Sequence, residues 1–200
     1  MRRAALIFAV AAFCSCGPAG KVPVAGPQYT PAKTLYKLKW VYNAPDIKAY
    51  GTLFAPARFT LKAEAPPAGF PERWGFREEM EATRALFANA YHIVLEMETT
   101  EESVGTPPPS ATSFTAKPID VRVRVWREPT YCFYARGKVT FRLTRPNVRA
   151  PWLIAEWVDA TGGEHADVVA NEQTGLCSWT DIKWYYLKRH REGNERHKLG

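Results

Sequence analysis

The chain is poor in the residues that most chemistry needs. It has 4 Cys, 4 His and 3 Met in 200 residues. No C-x-x-C pair or Cys/His cluster is present, so a structural zinc site is not expected. No H-E-x-x-H or paired-His motif occurs, and His92, His165, His190 and His197 are scattered. The G-x-G-x-x-G and P-loop patterns that cradle phosphates are absent, as is a G-x-S-x-G nucleophile elbow. No cofactor is therefore expected. No internal repeat is visible, and no apolar run reaches the roughly 20 residues that span a bilayer. With 46% hydrophobic and 24% charged residues, bulk disorder and a collagen-like chain are excluded as well. What is abundant is aromatic: 7 Trp, 9 Tyr and 10 Phe, enough to fill a substantial core.

The one apolar run is at the start. Met1-Arg2-Arg3 is a basic n-region and Ala4 to Phe13 an apolar h-region, which together read as a secretory signal peptide over 1–15. Phe13-Cys14-Ser15-Cys16-Gly17 resembles the bacterial lipoprotein signal, with Ser15 before the lipid-bearing Cys16 and Cys14 the departure from the pattern. The resemblance implies cleavage before Cys16, a lipid anchor in the cell envelope and, because Gly17 is not Asp, outer-membrane placement facing the periplasm in a host with two membranes. Residues 16–29, rich in Gly and Pro without a period, read as a tether. After processing, Cys132 and Cys177 remain. They are a candidate disulfide in a compartment where disulfides persist, with two separate buried thiols as the alternative.

The formal charge is +7, and the excess gathers in Lys188-Arg189-His190-Arg191 and Arg196-His197-Lys198. Residues 188–200 read as a basic, frayed tail. Attraction to an anionic membrane surface suits it better than nucleic acid, which a secreted lipoprotein seldom meets, so no nucleic-acid partner is expected.

Between tether and tail, residues 30–187 read as one domain. Thr30-Pro31 opens a helix with Leu35, Leu38, Val41 and Tyr42 on one face. Asp46 caps a second, with Ile47, Tyr50, Leu53 and Phe54. Phe59 to Lys62 alternates as a short strand. A third helix starts near Gly75, with Phe76, Met80, Thr83 and Phe87 expected inward. The period then changes to two. Strands are expected from Tyr91, from Ile119, from Thr130 with a bulge or bend at Arg136-Gly137, and over Trp152 to Val158. Ser103 to Pro118 reads as a long loop. Ser178 caps a last short helix, to Tyr186, whose Trp179, Ile182 and Tyr186 are expected to close one end of the core.

Helix, helix, short strand, helix and then long antiparallel strands resembles the NTF2-like (SnoaL-like) family. The stretches that carry the likeness are Ala44 to Pro56 with Arg58 to Leu61, Trp74-Gly75 with Glu78 and Glu79, and Trp152 to Asp159. The resemblance implies an α+β cone, its helices packed against a curved antiparallel sheet. Enzymes of that fold hold Asp, His or Tyr inside the cone for proton abstraction. Here His92, Glu96 and Glu98, and likewise Asp120, Arg122 and Arg124, fall on faces that read as solvated, while Asp159 and Asp181 show no acid–base partner. Tyr36, Trp40, Trp74 and Trp157 are candidates to line a pocket, or plain core. No catalytic residue is assigned. The expected function is a membrane-tethered, non-catalytic module binding a small apolar ligand or an envelope protein; the alternative is an extracytoplasmic isomerase, dehydratase or cyclase.

Overall fold

A computed structural model describes residues 29–129, 131–161 and 178–198. The leader, Cys16, most of the tether and Cys177 lie outside them. The first helix, α1 (Pro31–Asn43), is capped by Thr30, whose hydroxyl accepts from the Lys33 N–H, with Pro31 at the first helical position. It buries Leu35, Leu38, Val41 and Tyr42, the apolar face its spacing predicts. Asp46 caps α2 (Ile47–Gly51) by accepting from Lys48 and Ala49. Strand β1 (Thr60–Ala63) and the two-residue β2 (Trp74–Gly75) lead into α3 (Phe76–Asn89). There follow β3 (His92–Met97), a short α4 (Glu101–Val104), β4 (Ser113–Thr115), the long β5 (Ile119–Glu128), β6 (Tyr131–Thr144), β7 (Leu153–Thr161), and finally α5 (Trp179–Lys198).

The strands form one curved, open sheet in the order β2-β1-β7-β6-β5-β3, with β4 against β6. Helices cover one face, so the class is α+β. The sheet is mixed: β1 runs parallel to β7, pairing Leu61 with Trp157 and Ala63 with Asp159. Alternation on β3 and β5 is as the sequence predicts, with Ile93, Leu95, Met97, Ile119, Val121, Val123 and Val125 buried. Tyr91 is the exception; it precedes β3 and is exposed. The outer edge of β3 meets α1 instead of another strand. The Asn43 side chain donates to the Leu95 carbonyl at 3.0 Å and accepts from the Leu95 N–H at 2.7 Å. A side-chain amide thus satisfies backbone groups that an open edge would leave bare.

Four expectations are corrected. The register shifts lie between Trp126 and Glu128 and between Arg142 and Leu143, not at Arg136-Gly137. Gly137 is needed for close approach: at φ 152°, a Cβ there would meet the Ala160 carbonyl oxygen and the Thr161 Cα at 2.8 Å. The 103–118 loop carries the end of α4 and all of β4, held by Arg145, which donates to the carbonyls of Ala111 and Pro109 at 2.7 Å and lies over the Trp152 ring. The third helix buries Glu79, Ala82, Thr83, Ala85 and Leu86, while Phe76, Met80 and Phe87 are half-buried. It lies between α2 and α5, so its inner face is wider than one stripe. Last, the helix expected to stop at Tyr186 continues to Lys198, so 188–198 is not a frayed tail. Leu187 is buried, and Arg191 forks onto Glu81 of α3 at 2.9 and 2.8 Å.

These contacts divide α5 in two. Trp179, Ile182, Tyr186 and Leu187 are buried in the core, whereas the residues after them meet the domain through exposed contacts such as Arg191–Glu81. Deleting 188–200 is expected to lower stability by at most about 1 kcal/mol, the scale of a surface ion pair. Deleting 178–200 is expected to remove several kcal/mol, since one buried Trp alone is worth roughly 3–5. Urea unfolding of the two truncations checks this. Equal midpoints would show that the buried half of α5 does not close the core.

Candidate functional site

The only buried carboxylate of α3 faces the only buried ammonium of α5, among the described residues. Glu79 and Lys183 are both fully buried, 104 residues apart, with Nζ 2.7 Å from Oε1. Each is delivered by its own element. Gly75 and Glu78 set the start of α3, where the Glu78 carboxylate accepts from the Gly75 N–H at 3.1 Å, and Glu79 follows on the inner face. Lys183 sits one turn into α5, whose start is fixed at two levels. Ser178 and Asp181 bond reciprocally, with the Asp181 N–H donating to the Ser178 hydroxyl at 2.9 Å and the Ser178 N–H to Asp181 Oδ2 at 2.7 Å. The end of β7 supplies the rest. Asp159 accepts from the Thr180 N–H and Thr161 hydroxyl accepts from the Trp179 N–H, both at 2.7 Å. Asp159 is itself buried and also accepts from the Thr161 N–H and from both threonine hydroxyls.

Four donors of the chain meet Glu79. Oε1 accepts from the Tyr50 hydroxyl, from Thr83 at 3.1 Å and from Lys183; Oε2 accepts from the Trp74 indole N–H at 2.9 Å. Three donors crowd Oε1, whereas Oε2 takes one and keeps a second acceptor site. The Lys183 ammonium lies 3.6 Å from the Trp157 ring centroid and 5.3 Å from that of Trp179. Trp179 packs edge-on to Trp157 at 4.3 Å and to Tyr42 at 5.1 Å, so the cation sits in an aromatic sleeve.

Burial sets the proton affinities. It pushes the Lys183 ammonium below its ordinary value, with the Glu79 charge opposing. It pushes the Tyr42 and Tyr50 phenols well above theirs, helped by the Glu79 charge beside them. Burial likewise carries Tyr186 up to about 12.

Of the four pocket candidates, the structure brings two together. Trp74 and Trp157 both touch the Glu79–Lys183 pair. Tyr36 is exposed on α1 and Trp40 is half-buried there. Cys132 is half-buried on β6, with its thiol donating to the Phe133 carbonyl at 3.2 Å, and its candidate partner Cys177 is outside the described residues. His92, Glu96, Arg122 and Arg124 lie on the outer sheet face, where Glu96 pairs with both arginines; Asp120 pairs there with Lys138. Among the described residues no group of three His, Cys, Asp or Glu is arranged to hold a metal ion. The sequence reading named Glu79 only as part of the family likeness, set Asp159 aside for want of a partner, and did not single out Lys183. Isolated acids and a lysine in amphipathic helices look solvated, and nothing local marks Lys183 as the partner of Glu79.

No family model matches the chain, and no curated protein matches it. Solved structures do. The chain is similar to a conserved protein from Planctomyces limnophilus at 12% identity, over 64% of this chain and 90% of that one, with a TM-score of 0.51. It is similar at 13% identity to a proposed aromatic ring hydroxylase from Novosphingobium aromaticivorans, over 75% of this chain and 91% of that one, TM-score 0.52. An NTF2-like superfamily protein from Salmonella enterica is 14% identical over 70% of this chain and 92% of its own, TM-score 0.48. The fold is NTF2-like. At these identities the likeness carries architecture and no chemistry.

Two outcomes follow from the buried cluster. Lys183→Met strands a buried carboxylate and is expected to cost about 3–5 kcal/mol, whereas Glu79→Gln with Lys183→Met removes both charges and is expected to recover most of that loss. A double variant no more stable than the single one, by urea unfolding, would refute the pairing as a unit.

Alkaline pH is the second. Tyr42, Tyr50 and Tyr186 have raised folded values, so their contribution is complete below the unfolded value of 10.0 and is lost as pH climbs above it. Lys183 has a lowered folded value, so its contribution grows with pH, but only up to its unfolded 10.5. Above that the tyrosines act alone. Stability is expected to fall by about 1.4 kcal/mol per pH unit for each tyrosine that stays protonated in the fold. Unfolding free energies between pH 9 and 12 decide it, and a flat profile would contradict the burial of these phenols.

Proposed function

We propose that this protein is a non-catalytic NTF2-like module, held at the cell envelope by a lipid on Cys16 and acting through what its outer surface binds. The observation that supports the reading is the occupant of the cone. Trp179 and Lys183 of the chain's own α5 are fully buried against Trp157, Tyr42 and Glu79, on the inner side of the sheet where enzymes of this fold admit substrate. A general base must reach the substrate proton within hydrogen-bond distance. Glu79 instead is fully buried and already accepts from four groups of the chain, three of them on Oε1. The tether rests on the sequence alone, on Met1 to Arg3, the apolar run and Ser15-Cys16. No helix among the described residues is long and apolar enough to cross a membrane. The candidate Cys132–Cys177 bridge belongs to the same envelope reading.

The alternative, an isomerase, dehydratase or cyclase, has one observation in its favour. Glu79, Lys183 and Tyr50 form an enclosed acid–base set within hydrogen-bond reach. It requires α5 to move aside before substrate enters, and loss of the burial of Trp179 and Lys183 opposes that.

Two measurements test the proposal. Cys16→Ala is expected to abolish lipid labelling and to shift the protein out of the membrane fraction; unchanged labelling would remove the anchor from the reading. Native mass spectrometry of the mature protein is expected to show no apolar molecule retained in stoichiometric amount. Finding one would mean that the cone holds a ligand, the apolar-ligand form of the module, and would overturn action through the outer surface alone.

A further inference from the structure

Farther along α5 than the buried pair, that helix, the end of α3 and the end of β5 border an open groove of about 440 Å³. Its walls include Asn89, Arg127, Tyr186, Arg189, His190 and Asn194. The charge is of one sign inside. Arg127 and Arg189 both act on the Tyr186 phenol; Arg127 lies 3.4 Å from Glu128, and Arg189 donates to the Tyr185 hydroxyl at 2.7 Å with Glu192 nearby. Tyr186 is 4% exposed, and its hydroxyl has no hydrogen-bond partner among the described residues. A buried hydroxyl without a partner is costly, so its retention beside two guanidinium groups calls for an acceptor.

We propose that this groove binds a phosphate-bearing molecule, with Arg127 and Arg189 neutralising the anion and the Tyr186 hydroxyl donating to one of its oxygens. The chemistry suits the donors. Guanidinium forks match the tetrahedral oxygens of a phosphate group, and Asn89, Asn194 and His190 add polar atoms around its rim. Protonated Tyr186 is the form that donates, and burial keeps it protonated throughout the neutral range. A phosphate group of this kind is carried both by small soluble esters and by the headgroups of anionic lipids, and the groove fits either. The site is separate from the buried Glu79–Lys183 cluster and does not depend on the lipid anchor.

The test uses the mature protein in neutral detergent, with two probes. One is glycerol phosphate in solution; the other is phosphatidylglycerol mixed into the micelles. Saturable binding of either is expected. Arg127→Gln and Arg189→Gln are each expected to weaken it about tenfold, the loss of one charge-assisted contact. Arg122→Gln, on the outer sheet face, is expected to leave it unchanged. Binding of the soluble ester identifies a small-molecule site; binding of the lipid alone identifies a headgroup at a membrane surface. Tyr186→Phe separates the site from plain packing, because it is expected to raise the unfolding midpoint by removing an unpartnered hydroxyl and yet to weaken binding. The proposal is overturned if neither probe binds, if Arg122→Gln weakens binding as much as the groove variants, or if Tyr186→Phe leaves binding intact.

Discussion

A carboxylate cannot stay ionised in an apolar core without a cation and a set of donors, and the interior of this domain is arranged around that requirement at Glu79. Four elements meet on the one side chain. Tyr50 comes from α2, Trp74 from β2, Thr83 from α3 itself and Lys183 from α5. The pair adds little net stability, because desolvating two charges costs about as much as their attraction returns. What it sets is alignment. If α5 slipped by one residue, Ile182 or Trp184 would face the carboxylate and leave it bare. In the observed alignment Ile182 enters the apolar core, and Trp184 lies edge-on to Phe70 and Trp74 at the margin.

The same alignment is imposed a second time from the sheet. Asp159 and Thr161 close β7 and bond the first N–H groups of α5, which a helix start cannot satisfy internally. Opposite them Gly137 lets β6 approach the backbone at Ala160 and Thr161, where any Cβ would collide. The dependence therefore runs from a glycine on β6, through the end of β7 and the cap of α5, to the ammonium that neutralises Glu79. Each link is short and polar, and the aromatic residues fill the volume between them.

Much of this was legible in the chain. The period of Leu35, Leu38, Val41 and Tyr42 places α1, and the alternation of Val121, Val123 and Val125 places β5. Thr30, Asp46 and Ser178 mark helix starts because their side chains have the oxygen that a first turn lacks. Trp74 and Trp157 were visible as pocket candidates, and they line the buried pair. Tyr36 shared their chemistry and faces solvent, because the face that an aromatic occupies on α1 follows from what packs on it. Glu79 was legible as part of the family likeness but not as a buried acid. Whether a helical glutamate is solvated or buried depends on a lysine 104 residues later, and local pattern does not carry that distance. The parallel pairing of β1 with β7 is missed for the same reason. The extent of α5 is hidden differently: its last turns are polar on every side, and they persist because Arg191 meets Glu81 on α3.

The NTF2-like scaffold is known to this chain only through its shape, yet the shape allows one last step. A cone that serves acid–base chemistry must leave a carboxylate or a phenol with an open valence toward substrate. Here the buried acid, base and phenols are all present; the chain's own groups engage Glu79, Lys183 and Tyr50, while the buried Tyr42 hydroxyl has no partner among the described residues. Tyr50 donates inward to Glu79 and Lys183 donates inward to the same oxygen. The ingredients of a proton-transfer site have become the fastening of the last helix. Among the described residues three buried polar groups around the pair still lack a partner, the Tyr42 hydroxyl and the Trp157 and Trp179 indole N–H groups, and farther along α5 so does the Tyr186 hydroxyl. Of these, the Tyr186 hydroxyl is the one that lines an open groove together with Arg127 and Arg189.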